Sequence, residues 1–79
     1  MMDPILQKVR AISADVFQVP VKEIRANTSP ETLESWDSVQ HLNLVLALEQ
    51  EFGVQFEPED MGKMQNIGAV AELVESKLP

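Results

Sequence analysis

The chain has 79 residues, no cysteine and a single histidine, which excludes disulfides, thiolate metal sites and histidine clusters. Its formal net charge of −7 argues against nucleic acids and anionic membranes as partners, because both attract basic surfaces. No apolar run is long enough to cross a bilayer, and the amino-terminal segment MMDPILQKVR lacks the layout of a secretory signal. We therefore expect one domain over residues 1–79, a cytoplasmic location and no membrane insertion.

A first helix is predicted to begin at Pro4. Asp3 is a favoured N-cap residue, and proline suits the first helical position because its missing N–H needs no partner there. The apolar residues that follow at helical spacing are Ile5, Val9, Ile12 and Val16. The connection at 20–36 also carries apolar residues, including Ile24 and Trp36, so we expect it to pack over a hydrophobic surface.

A second helix is predicted over residues 38–52. Asp37 is its N-cap residue, Gln40 stands three positions later as in a capping box, and Gly53 supplies the stop. The narrow polar side of the helical wheel comprises Gln40, Asn43, Ala47, Gln50 and Glu51. The apolar arc comprises Val39, Leu42, Leu44, Val45, Leu46, Leu48 and Phe52. Such a broad arc predicts a helix that is flanked by two or three others.

Two further helices are predicted in the last third of the chain. Pro58 opens a short helix with Met61 and Met64 on one side, and Asn66 can cap the last helix. The apolar residues of the last helix are Ile67, Val70, Leu73, Val74 and Leu78. The sequence thus predicts an all-α fold: a small four-helix bundle with three main helices, one short helix and a long loop between the first two.

Ser38 is the candidate functional residue, because it stands at the entrance of the second helix directly after an acid. Free N–H groups and the helix dipole favour negative charge at such an entrance, so a phosphate on Ser38 would be tolerated. We expect the hydroxyl to project from the end of the bundle, away from the core. Covalent modification is therefore possible without disturbing the packing, although position alone also fits an ordinary residue of the first helical turn.

The segment WDSV, followed by QHLNLVLALEQEFGVQF, resembles the modification site and second helix of acyl carrier proteins, and the resemblance extends over nearly the whole chain. It implies that the Ser38 oxygen carries 4′-phosphopantetheine through a phosphodiester, and that the cofactor's thiol carries acyl groups as thioesters. A phosphopantetheinyl transferase that uses coenzyme A and Mg²⁺ would attach the cofactor. Asp37 would assist recognition, and Val39 would be an apolar contact for partner enzymes. The chain itself would be a non-catalytic carrier.

The resemblance also implies a monomer that serves acyl-loading and acyl-processing enzymes with basic docking patches. The residues assigned to the partner surface are Gln40, Asn43, Glu49, Glu51, Glu57, Glu59 and Asp60. Glu49 interrupts the apolar arc and is expected to reach past it to solvent or to a basic residue. An acyl chain would enter the bundle beside the second helix, and its lining is assigned to Val45, Leu46, Met61, Met64 and Ile67.

The W-D-S motif followed by a histidine resembles the carriers of secondary-metabolite or surface-lipid pathways. Three departures from the family pattern also favour a specialised carrier over the housekeeping carrier of fatty acid synthesis. D-S-V replaces the usual D-S-L, and the segment LESW replaces the usual L-G-x before the aspartate. Gln40, Asn43 and Gln50 stand where fatty-acid carriers place acids along the second helix.

Two other functions remain open on the sequence: a peptidyl or aminoacyl carrier, and a cofactor-free helical interaction module that binds partners through its acidic face. A hydrolase built on Asp37, Ser38 and His41 is disfavoured, because triad members normally come from separate segments and no glycine-rich elbow surrounds the serine. We expect Trp36 to pack in the core or loop. His41 is expected to be partly buried and hydrogen-bonded under the long loop.

Overall fold

The computed structural model describes residues 4–78, which form three α-helices: α1 (Pro4–Phe17), α2 (Ser38–Phe52) and α3 (Ile67–Lys77). Two 3₁₀ helices, Val21–Glu23 and Pro58–Lys63, lie in the connections between them. The predicted all-α fold with three main helices, one short helix and a long first loop is confirmed, with Pro58–Lys63 as the short helix. The N-cap predicted at Asp3 lies outside the described residues.

The core forms where α1 packs against both α2 and α3. The side chains without any solvent exposure include Val9, Ile24, Leu44, Leu48, Ile67, Val70 and Val74. One of them, Ile24, belongs to the long connection, and Trp36 at its far end is only 2% exposed. The expectation that this connection packs over a hydrophobic surface is therefore confirmed. Burial of such side chains supplies the main stabilisation of a fold this small, at about 25 cal/mol per Å² of apolar surface.

Backbone hydrogen bonds fasten the long connection to the start of α3. The N–H of Ile67 donates to the carbonyl of Thr28 at 2.9 Å, and the N–H of Gly68 donates to the carbonyl of Ala26 at 2.7 Å. These bonds satisfy N–H groups that have no partner inside the helix. A Cβ at position 68 would lie 3.1 Å from the Ala26 oxygen, so the close approach favours glycine.

The amino end of α2 is capped on one side only. Asp37 has an extended backbone, and its Oδ1 accepts the N–H of Gln40 at 2.9 Å, as predicted. The reciprocal half of the predicted capping box is wrong, because the Gln40 side chain instead accepts a hydrogen bond from Asn43 at 2.9 Å. At the other end, Gly53 adopts a left-handed conformation with φ of 66° and ends the helix.

The apolar arc of α2 is only partly buried, which corrects the prediction of a helix flanked on most sides. Leu44, Val45 and Leu48 pack into the core. On another face, Val39, Leu42 and Leu46 are 68%, 57% and 58% exposed. Their spacing of three and four residues aligns them along the helix. We call these three residues the apolar stripe.

Candidate functional site

Ser38 is the first residue of α2, and its side chain is exposed. The preceding Asp37 sets this geometry, because its carboxylate bonds to the Gln40 N–H while its carbonyl accepts the N–H of His41 at 2.8 Å. Both bonds fix the first turn of the helix. The Ser38 hydroxyl is thus presented from a rigid backbone at a helix entrance, where a negative charge is favoured.

An open groove of about 760 Å³ begins at Ser38. The long connection, α2 and the 3₁₀ helix Pro58–Lys63 all contribute to it. Its lining consists of Pro30, Trp36, Asp37, Ser38, His41, Leu42, Met61, Gly62 and Met64. Because most of these side chains are apolar, the groove suits an uncharged chain attached at the serine. An exposed hydroxyl with such a groove beside it fits a covalently attached, flexible group.

Trp36 and His41 form a pair in the wall of the groove. The indole Nε1–H donates to His41 Nδ1 at 3.0 Å, and the two rings lie edge to edge with centroids 6.1 Å apart and planes 16° from parallel. Phe17 lies on Trp36 with a centroid distance of 5.4 Å. Burial lowers the pKa of His41 below its ordinary value, which favours the neutral imidazole. The expected partial burial of His41 is confirmed; its partner Trp36 was not foreseen.

The residues assigned to the partner surface fall into two groups. The side chains of Asn43, Glu51, Glu57 and Glu59 are exposed, and Gln40 is half-buried. Glu51 also pairs with Lys8 on α1, with Nζ and Oε1 3.3 Å apart. These positions remain available for docking. Asp60 and Glu49 do not belong with them, because their carboxylates are used within the fold.

The assignment of Asp60 to the partner surface is wrong, because this residue is only 5% exposed. Its Oδ2 accepts the Glu57 N–H at 2.8 Å and the Lys77 ammonium at 2.9 Å. Lys63 lies 3.8 Å from the other oxygen. The backbone hydrogen bond from Glu57, followed by that from Lys77, lowers the pKa of Asp60. Asp60 therefore connects the second 3₁₀ helix to the end of α3.

Glu49 makes a contact within the fold that the sequence did not predict. It is half-buried, and its Oε2 accepts the backbone N–H of Phe56 at 2.8 Å. Among residues 4–78 no basic side chain pairs with this carboxylate, and its second oxygen remains accessible to solvent, as one of the two expected alternatives has it. The bond from Oε2 fixes the segment that leaves α2.

The residues assigned to the acyl lining are not all in one place. Met61 and Met64 line the groove, whereas Val45 and Ile67 are buried in the core. Leu46 is on the exposed apolar stripe, so its assignment to the interior is wrong. Leu42, Pro30 and Gly62 also line the groove, although the sequence did not single them out. Periodicity alone placed Leu42 within a broad apolar arc.

Comparison with known proteins shows the family to which the chain belongs. A family model described as the phosphopantetheine attachment site matches residues 7–74. The chain is 36% identical to an acyl carrier protein of Thermosynechococcus vestitus over 75 residues, which cover 94% of this chain and 91% of that protein. This chain belongs to the acyl carrier protein family. It is also 30% identical to an acyl carrier protein of Petrotoga mobilis over 96% of this chain and 89% of that protein.

The fold comparison supports the same membership of the acyl carrier protein family. The solution NMR structure of holo acyl carrier protein from Geobacter metallireducens superposes with a TM-score of 0.85 at 31% identity, over 95% of this chain and 86% of that chain. The predicted fold, the 4′-phosphopantetheine cofactor and the carrier role without catalysis are therefore confirmed at the level of the family. When bound, the cofactor supplies a thiol that carries cargo as a thioester.

Membership also implies interaction with a phosphopantetheinyl transferase and with biosynthetic enzymes. As for membranes, none of the helices within residues 4–78 combines the length and the hydropathy that a membrane span requires.

Proposed function

We propose that Ser38 is the residue that carries 4′-phosphopantetheine, and that this carrier delivers acyl groups as thioesters to enzymes of lipid, polyketide or related biosynthesis. The observation that supports the proposal is the exposed hydroxyl at the first position of α2, at the mouth of an apolar groove and within the family match.

The other serines are poorer candidates. Ser13 is fully buried and donates to a backbone carbonyl within α1. Ser29 and Ser35 are half-buried in the long connection, and neither begins an α-helix. Ser76 is exposed but lies beyond the matched residues 7–74. Ser38 alone combines exposure, a helix entrance and the groove.

The proposal predicts one added phosphopantetheine on Ser38. The protein is incubated with coenzyme A, Mg²⁺ and a broad-specificity phosphopantetheinyl transferase, and the intact mass is measured before and after. We expect complete conversion of the parent protein and of Ser35→Ala, a matched loss of a neighbouring hydroxyl, and no conversion of Ser38→Ala.

Circular dichroism shows whether each variant is folded. Modification of folded Ser38→Ala, or no modification of the folded parent by several transferases, would contradict the assignment.

We further propose how partners dock. The apolar stripe begins beside Ser38, and from Ser38 to Leu48 no side chain of α2 is a carboxylate or a basic Lys or Arg. A partner enzyme would contact the stripe together with Gln40 and Asn43. Basic patches on that enzyme would contact the exposed acids Glu51, Glu57 and Glu59. Exposed apolar patches of this kind commonly mark interaction sites.

The absence of acids on α2 from Ser38 to Leu48 supports a specialised carrier over the housekeeping one. We propose in addition that the chain is one carrier domain, that it is a monomer and that it acts in the cytoplasm.

A further inference from the structure

The Trp36–His41 pair is a feature that the carrier role does not itself require. The indole Nε1–H is a donor and has no acceptor atom, so its 3.0 Å contact requires an unprotonated Nδ1 on His41. A neutral imidazole with a free Nδ1 lone pair must carry its proton on Nε2. Because the two rings lie edge to edge and nearly parallel, this hydrogen bond fixes the orientation of the imidazole as well as its tautomer.

The Nε2–H of His41 is therefore a neutral hydrogen-bond donor in the wall of the groove. Among residues 4–78, no side chain or carbonyl lies at hydrogen-bond distance as its acceptor, and the imidazole is only half-buried. His41 lies one helical turn after Ser38, so the two side chains are neighbours on the helix surface. Whatever is attached to Ser38 and enters the groove meets this donor.

We propose that this groove docks the phosphopantetheine arm itself, with His41 Nε2–H donating to an amide carbonyl oxygen of the arm. The inference rests on the proposed attachment at Ser38. Beyond its phosphodiester, the arm consists of a dimethyl-substituted carbon, a hydroxyl group, two amides and a thiol. Apolar walls from Trp36, Met61 and Met64 match its uncharged part, and a single neutral donor matches an amide carbonyl.

The phosphodiester is a weaker match for the same donor. An anion gains most from the free backbone N–H groups at the start of α2 and from water. A neutral imidazole flanked by an indole and two methionines offers it no positive charge. A neutral hydrogen bond is worth about a fivefold bias toward the docked arm, so docking would be reversible.

Reversible docking would couple to partner binding through Leu42. This side chain lines the groove and also belongs to the apolar stripe. A partner enzyme that contacts the stripe would therefore also contact one wall of the groove, so partner binding and docking of the arm would influence each other. While docked, the arm would keep its thiol or thioester end near the protein surface.

The test uses the only histidine of the chain, so its signals need no assignment among several rings. Apo and holo proteins, the latter verified by intact mass, are labelled with ¹⁵N-histidine and compared by NMR. In the holo form we expect the Nε2–H proton to exchange with water severalfold more slowly, and nuclear Overhauser contacts between the imidazole and the dimethyl group of the arm.

A holo protein with unchanged Nε2–H exchange and no contacts to the arm would overturn the inference. Failure to form the holo protein would instead overturn the attachment at Ser38. His41→Phe keeps an aromatic ring beside Trp36 but removes the donor, and should weaken the contacts between the arm and the methionine methyl groups by up to about fivefold. Gln55→Ala, an exposed change outside the groove, should keep them.

Discussion

At the residue scale, Asp60 is the acidic side chain with the least exposure among residues 4–78. It is almost fully buried, and it receives one backbone N–H and two lysine ammonium groups from the second 3₁₀ helix and α3. The hydrogen bond from Glu57 and the bond to Lys77 hold its pKa below the ordinary value of 3.8. The charged carboxylate is therefore favoured in the folded state relative to the unfolded state.

We accordingly predict that Asp60→Asn lowers the midpoint of urea unfolding at neutral pH. The asparagine oxygen can still accept the Glu57 N–H, but the attraction to Lys77 and Lys63 is lost. Because the folded pKa of Asp60 is depressed, its contribution is fully present above pH 3.8 and is lost as the pH falls through the lower, folded value. The difference between parent and variant should thus shrink in acid.

Urea titrations of both proteins at neutral pH and at a pH well below the ordinary aspartate pKa measure this difference. Glu72→Gln removes an exposed carboxylate from α3 and serves as the control, with little change expected. Equal stability of parent and Asp60→Asn at neutral pH, or a gap that widens in acid, would contradict the assigned role.

At the scale of the elements, local signals predict the helices well. Asp37 accepts the Gln40 N–H, Asn66 accepts the Ala69 N–H at 2.8 Å, and Gly53 ends α2 in a left-handed conformation. Caps and stops are decided within a few residues, so the sequence reveals them.

The exposure of individual side chains depends on contacts that are distant in sequence. Seven apolar residues on α2 suggest burial on most sides, yet which face is covered depends on where α1 and α3 pack. The same limit explains Asp60 and Glu49, whose partners lie on other segments. The proposal of Ser38 rests on a local signal, whereas the Trp36–His41 bond joins the end of a loop to a helix.

Leu44 and Leu46 make a matched pair on α2 that separates folding from docking. Leu44 is fully buried and Leu46 is 58% exposed, although they are two residues apart and chemically identical. We expect Leu44→Ala to lower the free energy of unfolding by about 2–5 kcal/mol. Leu46→Ala should change it by less than about 0.5 kcal/mol, as is usual for a surface substitution.

Urea unfolding measures the stabilities of these two variants. The Michaelis constant of a phosphopantetheinyl transferase or an acyl-loading enzyme for the carrier measures docking. Leu46→Ala should raise this Michaelis constant while the fold stays intact. If Leu46→Ala were as destabilising as Leu44→Ala, the side chain of Leu46 would have to be buried in solution, contrary to the structure. If Leu46→Ala left the Michaelis constant unchanged with every partner tested, Leu46 would not belong to the partner surface.

At the scale of the whole molecule, the charges that attract a partner from a distance lie apart from the side chains that the partner would contact. The net charge of −7 attracts basic partners over a distance set by ionic strength. Beyond the capping carboxylate of Asp37, α2 nevertheless carries no carboxylate from Ser38 to Leu48. A partner would be drawn by the molecule as a whole and would then meet apolar and amide side chains.

An acidic residue introduced on α2 should therefore strengthen binding of an enzyme that recognises acids on this helix. We predict that Asn43→Glu raises kcat/KM for loading of the holo protein by a fatty-acid malonyl transferase by about two- to fivefold, the size of one exposed ion pair. Added salt should diminish the gain, because an exposed pair is screened. Asn43 is exposed, and its hydrogen bond to Gln40 is a surface contact, so the fold should tolerate the change.

Gln55→Glu is the matched control for this experiment, since it adds the same charge at an exposed position outside α2. A gain in kcat/KM confined to Asn43→Glu would mean that the absence of acids on α2 from Ser38 to Leu48 weakens docking of the housekeeping enzyme. Equal gains from both variants would mean that only net charge matters. No gain from either, or a parent protein that is already loaded as efficiently as a housekeeping carrier, would remove the argument for a specialised carrier, because the missing acids would then have no effect on partner choice.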